Sequence, residues 1–118
     1  MIERLRKICM ALPDAEETVT FGHPTFRVGG KTFCVFDEYK GEKAIALTVG
    51  KEAQGVFLED PRFYLTPYIG KHGWISLPAK GAINWKEVAE LVKGSYGLVK
   101  TQKAKPRKPR ARRSSSAR

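Results

Sequence analysis

At 118 residues the chain has room for one domain, and with 42% hydrophobic residues it can build a core without disulfide or metal staples. The formal net charge of +10 is lopsided: residues 1–99 carry 13 basic side chains against all 12 acidic ones, while residues 100–118 carry 9 basic side chains and no acidic one. No span approaches the ~20 apolar residues of a membrane helix and the N-terminal stretch lacks an apolar signal core, so a soluble, cytoplasmic protein is expected.

In chain order, Ile2, Leu5, Ile8, Cys9 and Leu12 recur at three- and four-residue steps, which predicts an amphipathic helix that Pro13 stops. Residues 18–21 read as a first strand, broken by Gly22-His23-Pro24. Residues 25–28 form a second, joined to residues 31–36 through Gly29-Gly30, a pair suited to a two-residue hairpin with positive φ. The run KTFCVF is apolar on both faces, as in a central, covered strand. Residues 37–42 read as a polar loop and residues 44–49 as a further strand, giving three or four locally joined antiparallel strands. Residues 51–58 suit a short helix, residues 63–70 a packed loop interrupted by Pro67, and residues 73–77 another strand. Asn84 with Glu87 three residues on predicts a capped helix that buries Trp85, Val88, Leu91 and Val92. Residues 100–118 contain no Val, Ile, Leu or aromatic residue among their Pro, Ser and like charges, so they are expected to be a disordered tail beyond a domain at 1–99.

Cys9 and Cys34 show no CxxC or metal-ligand spacing and sit in apolar runs, so they read as buried free thiols, with a disulfide as the alternative.

Residues 12–13 (LP), 20–33 (TFGHPTFRVGGKTF), 67–75 (PYIGKHGWI) and 95–99 (SYGLV) together resemble the MmcQ/YjbR-like family of small bacterial proteins. The resemblance covers roughly the first 99 residues. It implies an α+β fold, an antiparallel β-sheet flanked by N- and C-terminal helices, similar to secretion-chaperone and frataxin-like layouts. Family members are commonly labelled DNA-binding on the ground of a double-wing arrangement.

The function expected from these residues is non-enzymatic nucleic-acid binding, to DNA rather than RNA, by a monomer. Cations packed this densely displace counterions from a phosphate backbone whatever its sequence. The candidate residues are Lys100, Lys103, Lys105, Arg107, Lys108, Arg110, Arg112 and Arg113 in the tail. The prolines of KPRKPR hold that stretch extended, but the Gly-Arg-Pro centre of an AT-hook is missing. On the domain, Arg27 and Lys31 flank the Gly29-Gly30 turn like the tip of a wing, and Lys71, His72 and Trp74 open the later strand. Trp74, next to Ile75 and Leu77, reads more simply as core than as a stacking platform.

The rival expectation is a protein- or peptide-binding adaptor whose sheet offers an apolar groove without a positive rim, the tail only solubilising it. A small-ligand site or enzyme near His23, Cys34 and Tyr68 is a weaker third. No catalytic residue, cofactor or metal is expected. The two histidines have no adjoining carboxylate or thiolate cluster, and Asp14, Glu16 and Glu17 are too few for an iron-holding ridge beside Arg4, Arg6 and Lys7. His23 is expected to be a turn residue whose ring caps a backbone group.

Overall fold

Ile2–Met10 forms α1, with Leu5 and Cys9 as its buried face. Six strands follow: β1 (Ala15–Thr20), β2 (His23–Val28), β3 (Lys31–Tyr39), β4 (Glu42–Thr48), β5 (Tyr64–Leu65) and β6 (Trp74–Pro78). Helix α2 (Lys51–Leu58) and a 3-10 turn (Gly70–His72) lie between β4 and β6, and α3 (Trp85–Ala104) closes the fold. The computed structural model describes residues 2–67, 69–81 and 83–104, without the side chains of Tyr39 and residues 101–104. All strand pairs are antiparallel, in the order β1-β2-β3-β4-β6-β5. The fold is α+β, as expected, with more strands than the local patterns suggested.

Three two-residue hairpins build the first four strands: Phe21-Gly22, Gly29-Gly30 and Lys40-Gly41. All six residues have positive φ, the geometry whose twist matches the paired strands. This corrects two readings. Residues 37–42 are not a loop, because β3 runs on to Tyr39 and turns at Lys40-Gly41. Phe21 is not a strand residue but the first residue of a turn, with φ of 53°. Residues 63–70, read as a loop, contribute β5, which pairs with β6 through Leu65↔Ile75.

The register sorts side chains between two faces. Phe26, Cys34, Leu47 and Ile75 are successive partners and face α1 and α3, as do Phe36 and Ile45. Val88, Val92, Tyr96 and Val99 of α3 complete this core with Leu5 and Cys9. Cys9 and Cys34 are both free and buried. They touch each other, and that contact together with burial pushes the Cys34 thiol well up.

A β-bulge lies between Phe26↔Cys34 and Arg27↔Thr32, so Phe33 has no opposite number on β2. Its ring enters the core and meets Tyr96 edge-on at 5.5 Å. Buried Ser95 bridges the irregularity: its Oγ donates to the Phe33 carbonyl at 2.6 Å and accepts from the Thr48 amide at 3.2 Å. Asn84 caps α3 as expected, its Oδ1 accepting from the Glu87 amide at 3.1 Å. The Glu87 carboxylate accepts from Arg62 Nη1 and Nη2, at 2.7 and 2.9 Å. Helix α3 does not stop at Val99 but carries Lys100 and Lys103 on its final turns. The first five residues assigned to the tail are therefore helical, and residues 105–118 lie outside the described residues.

Candidate nucleic-acid interface

The other face of the sheet carries small and polar side chains, because their partners in register are the small residues of the neighbouring strands. Thr25, Val35, Ala46 and Ser76 form one row across it, with Thr18 beyond Thr25 on β1. Thr25, Ala46 and Ser76 of this row are each 1% exposed, Ser76 lying against the buried Thr66 hydroxyl at 2.9 Å. KTFCVF was read as covered on both faces, yet Val35 faces a groove of about 440 Å³ instead. Thr25, Val35 and Ala46 floor this groove; Thr20 and Phe21 form one lip, and Pro67, Ile69, His72 and Trp74 the other.

Arg27 stands inside it, held across the hairpins. Its Nε donates to Thr18 Oγ1 at 3.2 Å, Nη2 to Thr20 Oγ1 at 3.3 Å and Nη1 to the Gly30 carbonyl at 3.3 Å. His23 does not cap a backbone group as expected; its Nε2 lies 3.7 Å from Asp37 Oδ1, also in the groove. Cys34 points to the opposite face, which separates it from His23, and Tyr68 lies outside the described residues. Among the described residues no cluster of three His, Cys, Asp or Glu is arranged to hold a metal ion.

The far lip is fixed by α2 and by Gly73. Gln54 of α2 donates to the Gly70 carbonyl at 2.6 Å and to the Trp74 carbonyl at 2.9 Å. Gly73, with φ of 90°, lies so close to the start of α2 that a Cβ there would stand 2.6 Å from the Gly50 carbonyl carbon and 2.8 Å from the Lys51 nitrogen. Only glycine meets both demands, which accounts for the second glycine of Gly-Lys-His-Gly-Trp in physical terms.

Of the residues singled out in the sequence, Lys31, His72 and Trp74 come together around a second hollow of about 290 Å³, which also touches Val99 near the end of α3. Trp74 is 9% exposed, so it is a core residue whose indole borders both hollows. Lys71 is exposed on the 3-10 turn and borders neither. Lys100 follows Val99 directly, its Nζ 5.4 Å from the centre of the Tyr96 ring and 3.4 Å from its hydroxyl. Lys103 is placed by its backbone alone. Lys105, Arg107, Lys108, Arg110, Arg112 and Arg113 lie outside the described residues. The sequence reading missed Phe21 as part of a site. It is 94% exposed and left-handed, and the signal was its place before Gly22 between two strand-forming runs.

The YjbR family model matches residues 10–98, taking in the groove, both lips and most of α3. The chain belongs to the YjbR family. Among solved structures it is similar to protein DR2400 of Deinococcus radiodurans, described as a DUF419 domain, with a TM-score of 0.73 and 23% identity over 87% of this chain and 80% of that one. A protein from Pseudomonas syringae is similar at a TM-score of 0.67 and 18% identity, over 82% of this chain and 97% of that one. These likenesses establish the YjbR fold. No curated protein matches the chain. No helix among the described residues is long and apolar enough to cross a membrane.

Proposed function

We propose that this YjbR-family protein binds nucleic acid, DNA in particular, without catalysing a reaction on it. The observation that carries the reading is the uncompensated positive charge of residues 100–118, which follow directly on Val99 of α3 at the hollow bordered by Lys31, His72 and Trp74. Nine cations without an acid in 19 residues form a strong electrostatic footprint. Four of the body's twelve carboxylates are already paired with its own cations. Glu17 is taken by Arg6 at 2.7 Å, Asp60 and Glu87 by Arg62, and Glu42 by Lys80 at 3.3 Å. Those carboxylates are therefore poor competitors for the C-terminal cations, which favours an external polyanion.

The rival adaptor reading calls for an apolar groove without a positive rim. Here Arg27 stands within the groove, and Lys31 and His72 border the hollow next to it. That arrangement suits a polyanion better than an apolar peptide. The test is a truncation after Ala104, where α3 ends, so that the folded body stays whole. At low salt the truncated protein should bind duplex DNA at least ten-fold more weakly than the full chain, measured by fluorescence anisotropy. Equal affinity would remove the C-terminal cations from the function.

A further inference from the structure

We infer that the groove between the β1–β2 turn and the loop before β6 receives an unpaired base of single-stranded DNA, stacked against Phe21. This deepens the proposed function and rests on it. The starting point is the cost of Phe21. It places the largest exposed apolar surface among the described residues in solvent, and it does so in the left-handed region that bulky side chains rarely adopt. Burial in the body repays neither, for the ring is 94% exposed. The strain belongs to the two-residue turn, whose position needs positive φ but not an aromatic ring; asparagine or glycine would serve better. An aromatic side chain there has its use at the lip of the groove.

The shape and chemistry of that groove fit a base. Its walls are flat or apolar, with Phe21 on one side and Ile69 and Trp74 on the other. Its volume of about 440 Å³ falls in the range of sites that take a nucleoside-sized group. Its polar groups include His23 and Asp37, 3.7 Å apart, besides Arg27, His72 and the threonine hydroxyls of the floor and lip. A base has two apolar faces for stacking and a polar edge for hydrogen bonds. Arg27, pinned by Thr18, Thr20 and the Gly30 carbonyl, brings a fixed positive charge to the groove, and the flanking phosphates of a strand complement it. Duplex DNA keeps its base faces stacked on one another and cannot offer one to Phe21, whereas single strands bind proteins through such aromatic platforms combined with cationic tracks.

The experiment compares the full chain with its Phe21→Ala variant on a thymidylate oligomer and on a mixed-sequence duplex. Because Phe21 is outside the core, the variant should melt as the parent does. Expected is a loss of about 5-fold or more on the single strand and no change on the duplex. A second reading uses Trp85→Phe, which leaves Trp74 as the sole tryptophan. Its emission should be quenched by the single strand and not by the duplex. If Phe21→Ala binds the single strand as the parent does, or weakens both ligands alike, the base site is overturned while DNA binding through the C-terminal cations stands. If the parent binds neither ligand, the proposed function itself fails.

Discussion

Ser95 shows most clearly how one side chain holds two strands in place. The bulge at Phe33 frees a carbonyl inside the core, and a serine on α3 is the group that meets it while also satisfying the Thr48 amide. Ser95→Ala leaves both buried backbone groups without a partner, at about 1–3 kcal/mol each. The variant should lose about 2–4 kcal/mol in urea unfolding with an unchanged m-value; a loss below about 1 kcal/mol would contradict this role. Cys34 adds to the alkaline sensitivity at the same scale. Its thiol is pushed up by contact with Cys9 and by burial, so the folded chain holds the proton more tightly than the unfolded chain does. The resulting stability is full below the unfolded thiol value of about 8.5 and falls as pH rises beyond it. Cys34→Ala should flatten the decline of melting temperature between about pH 8.5 and 10, and an unchanged decline would exclude the thiol as its source. Neither the Ser95 bridge nor the contact between the thiols could be seen in the sequence, since each joins positions brought together only by tertiary packing. The free, buried state of both cysteines was legible from their apolar neighbours.

Among the elements, the turns were half legible. Gly29-Gly30 declares itself, but Phe21-Gly22 and Lys40-Gly41 put a non-glycine residue at a positive φ, against local preference. Pairing of the long strands overrides that preference, and for the same reason β3 extends three residues past the apolar run that marked it. Strand β5 was hidden because two residues carry no period. The far lip of the groove depends on α2, whose Gln54 holds the carbonyl of Gly70 in the 3-10 turn and that of Trp74 at the start of β6. Gln54→Ala should lower stability by about 1–2 kcal/mol. It should also speed amide exchange at Gly70, His72 and Gly73 while leaving the β2–β3 core unaffected; uniform exchange across the sheet would show that Gln54 does not act locally. Helix α3 was legible at its start, through Asn84 and Glu87, and not at its end. Lys100 to Ala104 lack an apolar stripe, and nothing in their composition distinguishes a helix running outward from an extended chain.

For the molecule as a whole, the division of charge was the plainest feature of the sequence, and the fold gives it a setting. A nearly neutral body carries Arg27 in a groove on one sheet face, and Val99 of α3, which Lys100 follows directly, borders the hollow beside it. The α+β class and the family were legible because they rest on strand runs and glycine-rich turns along the first 99 residues. The groove was not legible, because it is made of threonines, alanine and valine whose common face depends on register across β1 to β6. The central claim, that the C-terminal cations supply the affinity, is tested most directly by the salt dependence of duplex DNA binding. With about 6 to 9 phosphates neutralised, the full chain should give a slope of about −5 to −8 in log affinity against log salt, and the protein ending at Ala104 should lose most of it. A shallow slope for the full chain, or the same steep slope for both proteins, would contradict the claim.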